Sequence, residues 1–185
     1  MTGCPPVLHA ALPAGLSDGT VTLTLIQPRH WPVEVALAAD PDVVRWTMYP
    51  AGLDEAGARA RIADLRERVE RRQAGRYVVT GPDGAAAGTA GIVAGRRGAP
   101  EVFYALLPAA RGRGLATAAA TLLTRWATGA GHELLLLMTL LGNVASEAVA
   151  HRAGYVRATV EEVVDPDGAV VRLRRWEHRR IVPVP

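Results

Sequence analysis

The sequence predicts an α+β domain built on a mixed sheet, and three observations carry that prediction. Apolar residues alternate with threonine in TVTLTLI at 20–26, the period of a half-buried strand. Ala58, Ile62, Leu65 and Val69 recur at spacings of 4, 3 and 4, the period of one helix face. A strand, a helix and a strand apolar on both faces follow one another over 101–140, which makes a βαβ unit with a right-handed crossover.

Each element has its own signal. Residues 1–18 hold Pro5, Pro6 and Pro13 among small residues and read as a flexible lead-in, followed by a single domain over 19–182. After the first strand a helical stretch runs from about Arg29 to Ala39, interrupted by Pro32. DVVRWTMYP at 42–50 reads as a short helix or turn that leaves Trp46 and Tyr49 in a loop. The helix over 54–73 carries Asp54 as N-cap and a solvated face of Arg, Asp and Glu. RYVVT (76–80) and GTAGIVA (88–94) flank GPDG, a hairpin turn. EVFYALL (101–107) is the next strand, after an RRGAP loop. The helix that follows runs to about Thr128, with Leu115, Leu122, Leu123 and Trp126 on one side and Gly129 as its stop. ELLLLMTL (133–140) is the buried strand. NVASEAVAHRA (143–153) is a second helix, capped by Asn143 and ended by Gly154. Two last strands, about 155–164 and 169–178, are joined by DPDG.

Composition excludes several classes. The chain has 185 residues, a formal charge of +3 and one cysteine. No stretch approaches 18 apolar residues, so no membrane span is expected. No basic and then apolar leader opens the chain. The lone Cys4 excludes an internal disulfide framework, and a cytoplasmic location is the simplest expectation. Every basic residue is arginine and none is lysine. With so small a net charge, codon bias accounts for that better than phosphate tracking along a nucleic acid does. The histidines are scattered without metal-ligand spacing, so no metal is expected.

The chemistry-bearing stretch is PAARGRGLATAA, residues 108–119. Pro108 ends a strand. Gly112 and Gly114 allow positive φ and close approach of a ligand to the backbone. The chain then enters a helix whose first turn has unpaired N–H groups and a partial positive charge. Such a turn is a pocket for phosphate oxygens, with Arg111, Arg113 and the Thr117 hydroxyl beside it. It is neither a Walker A loop nor a dinucleotide fingerprint.

Arg111-x-x-Gly114-x-Ala116 resembles the Q/R-x-x-G-x-G/A signature of the GNAT acetyltransferase superfamily. NVASEAVAHRAGY at 143–155 resembles the N-x-x-S-x-x-V-x-x-x-x-G-F/Y segment of its RimJ/RimL-like branch. Both motifs stand in the family's order with a buried strand between them, and the pattern of elements matches from Thr20 to about Arg180. The resemblance implies a central twisted, mostly antiparallel sheet with helices on both faces. It also implies one parallel strand pair splayed around a coenzyme A cleft. The activity implied is acetyl transfer from acetyl-CoA to an amine.

By the same resemblance, backbone amides of Gly112, Arg113, Gly114, Leu115, Ala116 and Thr117 hold the pyrophosphate, with Arg111 alongside. Leu106 and Leu107 pair with the pantetheine arm, and Asn143 and Ser146 lie near its sulfur. Ser146 is the candidate proton donor to the leaving thiolate. The tyrosine used by relatives outside the branch falls at Ala150 here. The acidic residue that often follows the G-F/Y pair falls at Ala158. Glu101 is then the first candidate base, followed by Glu161 and Glu162, and Trp46 and Tyr49 are candidate acceptor walls. A backbone N–H near Leu106 or Leu107 suits the oxyanion.

The chemistry of the amine bears on the missing base. An α-amine has a pKa near ~8 and a lysine near ~10.4. At pH 7 the two differ in neutral fraction by an amount worth about 3 kcal/mol. A site without a strong base therefore favours a protein N-terminus or a weakly basic small amine. The expected partners are that acceptor and, at most, a second copy of the chain. A non-catalytic acyl-CoA-binding module and a nucleic-acid-binding domain are the alternatives.

Overall fold

The computed structural model describes residues 6–95, 99–165 and 168–180. Cys4, the first five residues of the lead-in, the arginines of RRGAP, Pro166 and Asp167 of DPDG, and the domain end at 181–182 lie outside the described residues. Eight strands form one sheet: β1 (Gly15–Ser17), β2 (Thr22–Leu25), β3 (Ala74–Thr80), β4 (Ala86–Val93), β5 (Glu101–Leu106), β6 (Leu134–Leu140), β7 (Val156–Val164) and β8 (Val170–Arg179). Five α-helices pack on it: α1 (Trp31–Ala39), α2 (Pro41–Trp46), α3 (Glu55–Glu70), α4 (Leu115–Gly129) and α5 (Val144–Arg152). The strand order is β1-β2-β3-β4-β5-β6-β8-β7. β5 and β6 run parallel, and every other neighbouring pair is antiparallel.

The two faces are told apart by alternation along the strands. Tyr77 and Val79, Ala90 and Ile92, Val102, and Leu135 and Leu137 join Leu115, Ala119, Leu123 and Ala150 in the main core. That face is covered by α4 and α5. Ala105 packs with Leu37, Ala38, Val43 and Tyr49, and Ile62 and Leu65 of α3 pack with Ile26. The opposite face is therefore covered by α1, α2 and α3.

Local chemistry sets the helix boundaries. Asp40 caps α2 by accepting from Val43 N–H at 2.8 Å. Asp54 caps α3 through Gly57 N–H at 2.7 Å, and Asn143 caps α5 through Ser146 N–H at 3.1 Å. Pro32 occupies the first turn of α1, where a missing N–H is harmless. It opens the helix and does not interrupt it.

Two further expectations change. Gly129 lies inside α4, and the left-handed residue that ends it is Gly131, at φ +93°. The lead-in is docked over the residues described. Leu8 is fully buried and donates its N–H to Arg72 O at 2.7 Å. His9 stacks on His132 at 3.8 Å and donates its backbone N–H to His132 Nε2 at 3.1 Å. Tyr77 donates its hydroxyl to Pro13 O at 3.0 Å, and β1 adds an edge strand that the proline-rich sequence conceals.

Candidate active site

The site begins with a failure of pairing. The ladder between β5 and β6 holds two residue pairs, Glu101↔Leu136 and Val102↔Leu137. Beyond them the strands part, while β5 stays paired to β4 through Leu106 and β6 to β8 through Leu140. A wedge-shaped gap therefore opens toward the C-terminal ends of β5 and β6. Hydrogen bonding alternates along an antiparallel pair. Leu107 donates to Ala87 O at 2.9 Å, so Leu106 turns its N–H and C=O away from β4 and into the gap. Leu107 also accepts from Ala110 N–H at 3.0 Å. Both of its backbone groups are engaged, and the strand amide aimed into the gap is that of Leu106.

At the open end lie the glycine turn and two helix N-termini. Gly112 and Gly114 have φ of +74° and +76°, and a Cβ at either would meet nothing within 4 Å. These glycines are required by backbone conformation, not by crowding. The first bond of α4 runs from Ala118 N–H to Gly114 O at 3.0 Å. The amides of Leu115, Ala116 and Thr117 precede it and have no partner within the helix. Leu115 and Ala116 bury their side chains, and Thr117 is half-buried. Across the gap, α5 presents Asn143 and Ser146 in its own first turn.

The arginines of the turn have partners of their own. Arg111 Nε donates to Leu106 O at 3.2 Å. Its two terminal nitrogens reach Asp40 at 2.8 Å and Asp42 at 3.0 Å. Burial raises the Asp40 pKa, but hydrogen bonds from Arg111 and Val43 N–H outweigh it and leave the carboxyl below its ordinary value. Arg111 is thus a clamp between the glycine turn and the α1–α2 junction. Arg113 pairs with Asp83 of the β3–β4 turn at 2.9 Å, which lowers the Asp83 pKa.

The face under α1, α2 and α3 holds a feature that sequence reasoning missed. Glu34 is fully buried, 2.9 Å from Arg61 Nε and 3.6 Å from Arg76 Nη1. Arg76 is itself buried. It donates to Thr89 Oγ1 at 3.2 Å and lies over the rings of Tyr49 and Phe103, at 5.2 and 5.1 Å. Burial lowers the Arg76 pKa against the pull of Glu34 and raises that of Tyr49. Among the described residues, Tyr49 Oη, Glu34 Oε1 and Arg76 Nε are buried without a hydrogen bond. The only available signal was a lone Glu in the apolar run VEVALAA.

The candidate acceptor residues separate. Tyr49 is 7% exposed and belongs to the core beside Ala105, so it supports the site from behind. Trp46 ends α2, half-buried, with the Arg45 guanidinium 4.8 Å above its ring. Glu101 opens β5 at the closed end of the gap, on the face of Phe103 and Ala105. It stands roughly 16 Å along the strand from Leu106. Glu161 accepts from Arg175 at 3.5 Å, on the same face of the sheet as Met138 and Leu173. Glu162 opposes Arg172 on the other face. Among the described residues no three His, Cys, Asp or Glu converge on a metal position, and no helix is long and apolar enough to cross a membrane.

A sheet split at one parallel pair, with a glycine turn and two helix N-termini at the mouth, defines an acyl-CoA-dependent acyltransferase architecture. The model of the acetyltransferase (GNAT) domain matches residues 20–156, and the chain belongs to that family of acetyltransferases. No curated protein matches the sequence significantly. Solved structures share the fold at low identity. The microcin self-immunity acetyltransferase MccE, in complex with acetyl-CoA and AMP, superposes with a TM-score of 0.80 at 16% identity, covering 92% of this chain and 98% of that one. Mycobacterium smegmatis RimJ, in complex with CoA-disulfide, gives 0.79 at 18% identity, over 95% and 90%. RimL, a ribosomal α-N-protein acetyltransferase in complex with coenzyme A, gives 0.77 at 17% identity, over 90% and 96%.

Proposed function

We propose that the protein transfers an acetyl group from acetyl-CoA to a primary amine, either a protein N-terminal α-amine or a small-molecule amine, by direct attack. The observation that carries this is the two-pair β5–β6 ladder that opens onto the positive-φ turn. The residues present fit the donor. The amides from Gly112 to Thr117 would hold the pyrophosphate, and Leu106, whose carbonyl accepts from Arg111, turns its N–H toward the acyl end. When bound, acetyl-CoA supplies the activated thioester.

The residues divide the remaining work. Leu106 N–H is the donor placed for the oxyanion. Ser146, at the N-terminus of α5, is the hydroxyl placed for the leaving sulfur. Of the carboxylates described on the α1–α3 face, Glu34 pairs with Arg61 and Arg76, and Glu161 with Arg175. With Ala158 at the family's acidic position, an amine that arrives partly neutral is favoured, hence an α-amine over lysine.

Calorimetry with acetyl-CoA tests the donor: micromolar binding is expected, lost in an Arg113→Glu, Gly114→Glu variant. Thiol release with a panel of N-terminal peptides, lysine peptides and small amines tests the acceptor. Turnover confined to lysine peptides would overturn the α-amine reading. Binding without turnover on any amine would favour a non-catalytic acyl-CoA module.

A further inference from the structure

The chain has four tyrosines, and the structure gives each hydroxyl a different place. Tyr77 donates to Pro13 O. Tyr155 is held to Thr124 Oγ1 at 2.7 Å inside the core. Tyr49 lies under α1 on the opposite face. Tyr104 is the one that belongs to the gap. It lies on β5 beyond the last pair with β6, and its side chain packs on the α4–α5 face. Its hydroxyl reaches across to α5, donating to Ser146 O at 3.3 Å.

That contact is weak in a telling way. An O–H···O bond is ordinarily about 2.7–2.8 Å long, so this one is stretched. Ser146 O also lies four residues before Ala150 within α5, where it accepts the regular helical bond. The phenol is a third centre on an acceptor already satisfied, and it can swing off at little cost. It hangs over the first turn of α5, on the residue placed for the leaving sulfur. Across the gap, the fully buried Ala150 is one turn further along the same helix face, and it offers no group that competes for the phenol.

We propose that in the reacting complex Tyr104 donates a hydrogen bond to the thioester sulfur, as a second hydroxyl beside Ser146. This rests on the acyl-CoA reading above. The amine nitrogen bonds to the carbonyl carbon, the C–S bond breaks, and its electron pair stays on sulfur. The Tyr104 O–H hydrogen-bonds that pair. The proton lost by nitrogen goes to solvent, and CoA leaves as thiolate or takes a proton from solvent. Burial lifts the phenol pKa to about 12, and the Ser146 contact lowers it by less. A thiol near ~8.5 is far more acidic, so the phenol keeps its proton and acts as a neutral donor.

The test uses CoA bound to the full chain. The thiol pKa of bound CoA is read from thiolate absorbance in wild type and Tyr104→Phe, with CoA affinity by calorimetry and kcat by thiol release. The variant should bind CoA within threefold of wild type, raise the bound-thiol pKa by about one unit, and lose roughly tenfold to a hundredfold in kcat. An unchanged bound-thiol pKa overturns the proposal, even with kcat reduced, because a mere brace for α5 would not touch the sulfur. If Tyr104→Phe proves unstable, fluorotyrosine at position 104 keeps the ring and hydroxyl. Its more acidic O–H should lower the bound-thiol pKa, and no change counts against donation. If wild type binds no CoA, it is the acyl-CoA reading that fails.

Discussion

The two sides of the gap are built from different materials. The α4 side is backbone: a strand edge at Leu106, two positive-φ glycines and the opening amides of α4. The α1–α3 side is side chain: Glu34, Arg61, Arg76 and Tyr49, gathered from α1, α3, β3 and the α2–α3 loop. The first needs little beyond a local conformation. The second takes charge out of water and holds only while its members compensate one another. The two sides should therefore break differently.

The largest effect is expected from the α1–α3 side. Glu34→Ala leaves Arg76 buried without its carboxylate, which costs about 3–5 kcal/mol. Urea unfolding should show this, while CoA affinity of the folded protein stays within a few-fold. If CoA binding vanishes with the fold intact, the two sides are not separable.

A region belonging to neither side provides the next effect. Burial, with His9 adding to it, lowers the His132 pKa to about 4, and Nε2 must stay unprotonated to accept His9 N–H. Unfolded, this histidine titrates near 6.5. Its folded pKa is the lower one, so the unfolded chain binds more protons between those values. Its contribution is complete above about pH 6.5 and is lost as pH falls toward 4, by roughly 2–3 kcal/mol. Denaturation at pH 7 and 4.5 should show the drop, and His132→Gln should flatten it.

Smaller again is Gly114→Val. A β-branched residue at φ +76° costs roughly 1–3 kcal/mol, so CoA binding should weaken by about tenfold to a hundredfold in calorimetry. Smallest is Arg111→Ala. Its pairs with Asp40 and Asp42 are partly exposed, and such pairs are worth ~0.2–1 kcal/mol. The melting temperature should barely move. If this variant weakens CoA binding as much as Gly114→Val does, the glycine turn depends on charge and not on backbone.

The same contrast explains what could be read in the sequence. β3, β4 and their turn, the caps Asp54 and Asn143, and the glycines at 112 and 114 are local, because turn chemistry and helix ends are decided within a few residues. The α4 stop was misplaced by two residues, because Gly129 and Gly131 are both chemically able and only the φ angles choose between them. The lead-in looked loose because its anchors, Arg72, Tyr77 and His132, are more than 60 residues away in sequence.

By itself the sequence determined an α+β sheet, a βαβ unit and a glycine turn at a helix start, each an expression of short-range periodicity and backbone conformation. The parting of β5 and β6 after Val102, the clamp of Arg111 on Asp40 and Asp42, the burial of Glu34 between two arginines and the reach of Tyr104 to Ser146 were decided only in the tertiary structure. Each joins residues whose proximity no local spacing encodes. Their energies come from desolvation and mutual compensation, which exist only once the helices have closed over the sheet.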